Sequence, residues 1–460
     1  MRRRELGVVV ALTLAFAAAS ACSGDDAGGN PIDASADSPD QNDGSPTTAD
    51  GGDGAPANGA ATVTVLENGS PFANAIVVFY TSDGTPQPPI TTGADGKASM
   101  TVAAGWSVTA SATSSSGGTD TICSLTTFLA IEPGDNLVAT GLLPKTASPK
   151  NGTVEVVSPG TYSGASSYGW SDGCNSSGNT DGGNVALPVN DSCLEAGTLD
   201  VLGLAYQGTN GMIASAQAVG QTYVDGGSIS GFAWSPITPT TLATTGTPPA
   251  NATSFGYDIE LYSGNNHFGG FNLGIGLGGA FTPPHVTIPN GTFLTTANWT
   301  ASLIFSSAPN SNVQLFAQTP ISSAFSVDFG SLPPEIHDLV ATADAAGNAS
   351  IAFTADGPLT GLTGMISEID YDATSSTQAD AGDTEQVQWQ IVAPVAASTT
   401  LPKLTKDLVP AFVPATHSAY ARALGGTTYA DYRAFRGLYP NIFPGTPAPS
   451  SYRIISTSTR

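Results

Sequence analysis

Short runs of β-branched and aromatic residues, separated by clusters of glycine, proline, asparagine, aspartate and serine, recur from residue 61 onwards. Such runs, bounded by turn-forming residues, are typical of strands in β-sandwiches. Periodicity of the helical kind is nearly absent, and the 460 residues include 54 glycines and 33 prolines. We therefore predict an all-β protein built from tandem antiparallel β-sandwiches, with strands at Val63–Leu66, Ala75–Tyr80, Ser107–Ala112, Thr153–Val157, Leu199–Tyr206, Ser254–Tyr262, Ser350–Thr354 and Val387–Val392.

Charged residues are few and mostly acidic. The chain has 13 Lys and Arg against 37 Asp and Glu, a net charge of −24, and residues 151–402 contain twenty acids but no Lys or Arg. Proteins that bind nucleic acid present a basic patch, so we expect no nucleic-acid partner. Salt bridges cannot hold residues 151–402 together, and we expect apolar burial and backbone pairing to stabilise that region.

The N-terminus has the pattern of a secretory signal peptide. Arg2, Arg3 and Arg4 precede an apolar run, Leu6–Phe16, which passes into small residues. This order of basic, apolar and small residues is typical of a cleaved signal. The apolar run is also shorter than the ~20 residues that a spanning helix needs.

Ala19-Ser20-Ala21-Cys22 resembles the lipobox of bacterial lipoproteins. The resemblance implies that Cys22 becomes the acylated, for example palmitoylated, first residue after removal of a signal peptide at 1–22. Ser23 at the next position implies sorting to the outer membrane, either facing the periplasm or on the cell surface, with the membrane bound through the lipid. A plain secretory signal with an incidental cysteine is the alternative.

Residues 23–60 are predicted to be a disordered acidic linker. The stretch contains eight Asp and no Lys or Arg, and low hydrophobicity with one sign of charge opposes folding. Such a segment would hold a globular part away from the bilayer.

The first folded unit is predicted at residues 61–145. Asn68-Gly69 and Asp95-Gly96 supply the positive-φ positions that tight hairpins need. With Gly105-Trp106-Ser107-Val108, the order of landmarks resembles the carboxypeptidase regulatory-like, or transthyretin-like, β-sandwich. The resemblance implies a non-catalytic structural or adhesive module, and it carries no active-site residues over to this chain.

The remaining chain is divided into three parts. Residues 146–330 form a middle β region, with a division into two subunits near residue 250 as one arrangement. Residues 331–440 resemble an Ig-like or fibronectin type III-like sandwich, and residues 441–460 are expected to be a tail. Residues 401–460 hold seven Lys and Arg against two acids, so this segment either docks on an acidic surface or remains solvated.

Cys174 and Cys193 lie in one Gly- and Ser-rich segment, and export makes a disulfide between them the preferred pairing. Closing a loop of this size would contribute about 3 kcal/mol. Cys123 is then expected to be a buried thiol, while a bond from Cys123 to either of the others stays open. No cysteine or histidine spacing matches a zinc motif.

Glu368, Asp370 and Asp372 alternate with Ile369 and Tyr371. A strand would place the three carboxylates on one face. They are either screened by water and salt or hold a cation, and Ca²⁺ is the candidate because it prefers oxygen ligands. No other cofactor is expected. Asp258 and Glu260 show the same alternation and are interpreted as a solvated face.

These observations predict a lipid-anchored cell-envelope protein with a non-catalytic binding, adhesive or spacer role. A glycan or a protein is the expected kind of ligand. The alternative is an envelope hydrolase that acts on polysaccharide or peptide, with the middle region catalytic. The scarcity of histidine and the lack of a recognisable nucleophile motif argue against the hydrolase.

Overall fold

A computed structural model describes residues 58–67, 69–115, 121–140, 151–190, 194, 196–208, 211–263, 266–277, 281–289, 293–305, 311–320, 326–344, 348–373, 385–408, 417–426, 429–440 and 451–459. The predicted all-β class is confirmed, since this part of the chain consists of strands with short helical segments. All eight strands predicted above coincide with observed strands. The signal peptide, Cys22 and the linker up to residue 57 lie outside the described residues, so their assignment stays a prediction.

The N-terminal strands form two stacked sheets. One contains β1 (Gly59–Glu67), β2 (Ser70–Pro71), β5 (Lys97–Val102) and β8 (Asn136–Thr140), with β8 parallel to β1. The other sheet, which is one end of a longer sheet described below, contains β3 (Ile76–Tyr80), β4 (Ile90–Thr91), β6 (Trp106–Ser115) and β7 (Thr121–Ile131). Val63, Phe79 and Phe128 are buried between the sheets. Gly69 and Gly96 have φ of 76° and 70°, as the turn sequences predict.

The middle region begins with a separate sandwich whose core surrounds Trp170. Its three-stranded sheet contains β9 (Asn151–Val156), β12 (Val185–Asn190) and β15 (Ser228–Ile229). Its five-stranded sheet contains β10 (Ser167–Ser171), β11 (Ser176–Asn179), β13 (Thr198–Gln207), β14 (Gly211–Thr222) and β16 (Ser235–Pro236).

The rest of the middle region contributes long strands to a different sheet. These are β19 (Ala252–Ser263), β20 (Asn266–Gly276), β22 (Thr296–Phe305) and β23 (Asn312–Pro320). Shorter strands form two-stranded pairs beside them: β17 (Thr240–Thr241) with β21 (His285–Val286), and β18 (Ala243–Thr245) with β24 (Ser326–Asp328), which runs into a 3-10 turn at Phe329–Ser331.

The C-terminal strands have an Ig-like arrangement. The sheet of β25 (Ile336–Ala343), β26 (Ala349–Ala355) and β29 (Ser398–Leu401) packs on β27 (Gly364–Ala373), β28 (Glu385–Pro394), β30 (His417–Gly426) and β31 (Ser451–Ser458). The expectation of a tail at 441–460 is wrong for residues 451–458. They form β31, which pairs with β30 on one side and β23 on the other. A short helix, α1 (Tyr432–Leu438), precedes it.

One twelve-stranded sheet connects all three regions. Its order is β20-β19-β22-β23-β31-β30-β27-β28-β7-β6-β3-β4. The β31 strand joins the middle and C-terminal regions, and the parallel pairing of β28 with β7 joins the C-terminal and N-terminal regions. The largest apolar cluster lies on one face of this sheet and includes Trp299 and Trp389. We found no described helix that is long and apolar enough to cross a bilayer.

Candidate functional site

The face of the long sheet opposite that apolar cluster carries polar side chains over several strands. The register aligns Arg422, Ser456, Asn312, Ile304 and Ser254 across β30, β31, β23, β22 and β19. Directly opposed residues of antiparallel strands point to the same side of a sheet. We call this side the polar face. Glu368 and Asp370 of β27 lie on it, and so do Asp258 and Glu260 of β19.

A small pocket lies between β27 and β30 on the polar face. Its volume is about 120 Å³, and its lining consists of Glu368, Asp370, Ser418, Ala419, Tyr420 and Ser458. Gln390 Nε2 donates to Glu368 Oε2 at 3.0 Å, and Ser418 Oγ donates to Asp370 Oδ2 at 3.4 Å. Two carboxylates and three hydroxyl groups thus line one opening.

Arg422 contacts Tyr420, the aromatic residue of this pocket. Its Nε donates to the Tyr420 hydroxyl at 2.6 Å, and the guanidinium lies 5.1 Å from the centre of the Tyr420 ring. Cation–π contact and the hydrogen bond together fix the ring. The pocket therefore combines a positioned aromatic ring with oxygen acceptors, which is a combination suited to polar ligands.

The predicted acid triad is only partly brought together. Glu368 and Asp370 line the pocket, and Ile369 and Tyr371 are buried on the other face, as the alternation predicts. Asp372 lies on the same strand opposite Gln386, but its side chain lies outside what the structure describes. Among the described residues no group of three or more His, Cys, Asp or Glu converges on a metal-sized space. The Ca²⁺ site at Glu368, Asp370 and Asp372 stays a prediction.

The second acid pair lies on β19. Asp258 and Glu260 stand opposite Thr300 and Asn298 of β22. Burial raises the pKa of Asp258 to about 6, and the nearby charge of Glu260 adds to that increase. The Tyr262 hydroxyl donates to Glu260 Oε2 at 2.8 Å. Asp258 and Glu260 are half-buried, so they are less solvated than the alternation indicated. The sequence signal for this was the lack of Lys and Arg across residues 151–402, which leaves these acids without a basic partner from that region.

The cysteines remain partly untested. Cys123 is a fully buried thiol on β7, as expected. Cys174 is disulfide-bonded, but Cys193 lies outside the described residues, so the pairing of these two stays a prediction. The lipidation site Cys22 lies outside them as well.

The basic C-terminal segment docks within the molecule. Arg436 of α1 is 2% exposed, and its guanidinium lies 2.6 Å from Asp135 Oδ2 in the turn between β7 and β8. Arg433 lies 3.3 Å from Asp135 Oδ1 and 3.3 Å from Glu132 Oε2. We call these four residues the ion-pair clasp. The acidic surface that receives the helix belongs to the N-terminal region and not to the acidic middle region.

Comparison with known proteins adds little. No protein family matches the sequence, and no curated protein matches it. Among solved structures, the FN1-FN3 domains of chicken CNTN1 are 11% identical, with 61% of this chain and 91% of that chain covered and a TM-score of 0.12. A likeness this weak carries no argument.

Proposed function

We propose that this protein is a lipid-anchored component of the bacterial outer membrane whose β-sheet body binds a ligand without catalysing a reaction. The pocket beside Tyr420 is the observation that carries the binding role. The lipobox resemblance at Cys22 and the acidic linker support the anchor, and the resemblance of residues 61–145 to carboxypeptidase regulatory-like domains supports a non-catalytic module.

A glycan is the ligand class that the pocket favours. Carboxylates accept hydrogen bonds from sugar hydroxyls, the serine hydroxyls can donate or accept, and an aromatic ring offers an apolar face. The pocket is small, at about 120 Å³. The pocket therefore fits part of one sugar unit, and further affinity would come from the polar face around it.

The anchor is tested in cells by metabolic labelling with an alkyne-modified palmitate. We expect label on the wild-type protein and none on the Cys22→Ala variant, which should leave the membrane fraction. Protease treatment of intact cells then distinguishes a protein on the cell surface from one that faces the periplasm, since only the surface-exposed protein is cleaved. A wild-type protein without label would contradict the anchor and leave the ligand proposal intact.

Ligand binding is tested with immobilised bacterial polysaccharides and peptidoglycan fragments, each with and without Ca²⁺. We expect Glu368→Gln and Ser418→Ala to abolish binding of the retained glycan. Ser302→Ala is the matched control, because Ser302 is a half-buried hydroxyl on the polar face outside the pocket. Equal binding by all variants, or binding to no glycan in the panel, would contradict this assignment.

An envelope hydrolase is the second candidate function, and one observation favours it. Asp258 has a raised pKa beside a second carboxylate, Glu260, and such pairs serve as acid and base in glycoside hydrolysis. Release of reducing sugar from the same polysaccharides, lost in Asp258→Asn, would support it. The binding role is preferred because the pocket lies on β27 and β30, away from that pair.

A further inference from the structure

The β19 acid pair belongs to a larger group of oxygen atoms. Glu260 stands directly opposite Asn298, and Tyr262 stands opposite Thr296. Asn298 is 7% exposed, and among the described residues neither its carbonyl oxygen nor the Thr296 hydroxyl, both of which are buried, has a hydrogen-bond partner. We call Asp258, Glu260 and Asn298 the β19 oxygen cluster. Buried acceptors of this kind cost free energy unless something binds them.

Tyr262 fixes the geometry of this cluster. Its hydroxyl donates to Glu260, and the same hydroxyl interacts with the side chain of Asn298. The Asn298 amide thus has one end engaged with Tyr262, while its carbonyl oxygen remains available next to Glu260. The arrangement presents neutral and charged oxygens together on adjacent strands.

Among the residues that the structure describes, neither Asp258 nor Glu260 forms an ion pair with a Lys or Arg. Residues 151–402 contain no Lys or Arg. Arg422 lies on the same face, but four strand spacings and about six residues along the strand separate it from Glu260, a distance on the order of 25 Å. Salt screens charges over about 8–10 Å. A bound cation would neutralise the repulsion between Asp258 and Glu260.

We propose that the β19 oxygen cluster binds a divalent cation, with Ca²⁺ the ion that its donors suit best. Asp258 and Glu260 supply the charge, Asn298 supplies a neutral oxygen, and water completes the shell. Ca²⁺ accepts six to eight oxygens, including amide carbonyls and water, in irregular geometry, whereas Mg²⁺ requires near-ideal octahedral ligands. This site is separate from the pocket and does not depend on the proposed glycan.

Binding at this position would reinforce the middle of the molecule. The ion bridges neighbouring positions on β19 and β22, which are paired over ten residue positions. With two carboxylates, the affinity should fall near the dissociation constants of extracellular modules, about 10⁻⁴–10⁻³ M. A ligand that binds only the folded state raises its melting temperature.

The test uses the full chain carrying Glu368→Gln and Asp370→Asn, so that the pocket cannot contribute. After removal of metal with EDTA, Ca²⁺ binding is measured by calorimetry, and Tb³⁺ binding by luminescence excited through nearby aromatic residues. We expect saturable binding that weakens by more than about tenfold when Asp258→Asn and Glu260→Gln are added. Circular dichroism checks that both proteins are folded.

A gain-of-function variant keeps the proposal testable if the double substitution disturbs the fold. Asn298→Asp adds a third carboxylate and should tighten Ca²⁺ binding by about tenfold, because affinity follows the number of charged ligands. The same variant should be less stable than its parent in EDTA alone. Absence of saturable binding up to about 10 mM Ca²⁺, or unchanged binding in both variants, would overturn the site.

Discussion

The ion-pair clasp and the β19 oxygen cluster both hold carboxylates close together, but among the described residues only the clasp pairs them with Arg. In the clasp, Asp135 is 5% exposed and contacts two arginines. In the cluster, Asp258 lies beside Glu260, and burial raises its pKa to about 6. Burial penalises the charged form of a carboxylate, and a nearby cation offsets that penalty. The three predictions below test this difference.

The largest effect is expected from Arg436→Met. Methionine keeps much of the side-chain volume but leaves Asp135 buried without its closest cation. Removing one partner of a buried ion pair costs about 3–5 kcal/mol, so the free energy of unfolding in urea should fall by that amount. Arg433→Ala is the matched control, because Arg433 is half exposed and surface pairs contribute about 0–1 kcal/mol. Equal losses of unfolding free energy in the two variants would show that the contribution of each arginine does not depend on its burial.

A smaller effect of opposite sign is expected from Asp258→Asn in EDTA at pH 7. The folded pKa of about 6 lies above the ordinary 3.8, so the folded state binds a proton more tightly than the unfolded state. Stability associated with Asp258 is therefore present below pH 4 and is lost as the pH rises to about 6. The variant should be more stable than wild type by about 1–2 kcal/mol at pH 7, allowing for screening, and the difference should shrink at pH 4. An equal difference at both pH values would contradict the pKa assignment.

The smallest effect is expected for His337, which lies between two carboxylates on β25, an edge strand of the three-stranded C-terminal sheet. Its Nδ1 lies 2.7 Å from Asp338 Oδ2 and its Nε2 lies 3.2 Å from Asp356 Oδ1. Burial lowers the pKa of His337, but the hydrogen bonds and charges of Asp356 and Asp338 outweigh it and raise the pKa overall. Because the folded state binds the proton of His337 more tightly than the unfolded state, the protonated ring stabilises the fold. This stabilisation is present below pH 6.5 and is lost as the pH rises through the higher folded pKa. His337→Asn should remove that pH dependence, with a change below about 0.5 kcal/mol in the free energy of unfolding, and a pH profile identical to wild type would contradict it.

The sequence predicted local structure well because turns and alternation are local properties. Gly69 and Gly96 adopt positive φ where Asn-Gly and Asp-Gly predicted hairpins, and the alternation around Ile369 assigns the correct buried face. The helix α1 was missed, although Tyr429, Tyr432, Phe435 and Tyr439 recur at intervals of three to four. Asp431 also caps it by accepting from Ala434 N at 2.8 Å.

The long-range pairing could not be predicted from local patterns. Nothing in residues 451–458 specifies that both β30 and β23 are their neighbours, and the pairing of β28 with β7 spans more than 250 residues. The candidate sites could not be predicted in full for the same reason, because they combine residues from different strands. Glu368 and Asp370 were predicted as neighbours because they share a strand, whereas Ser418, Tyr420 and Ser458 come from two other strands. Asn298 likewise became part of a site only through the register of β19 with β22.

The position of β31 also has a consequence for how the protein is made. A chain synthesised from its N-terminus makes residues 451–458 after all the other described strands, yet this segment lies between β23 and β30. Until it arrives, both neighbours present open edges that can pair with other chains. Completion of the long sheet therefore waits until the chain has been made through residue 458, and a chain arrested before that point would expose two unpaired strand edges.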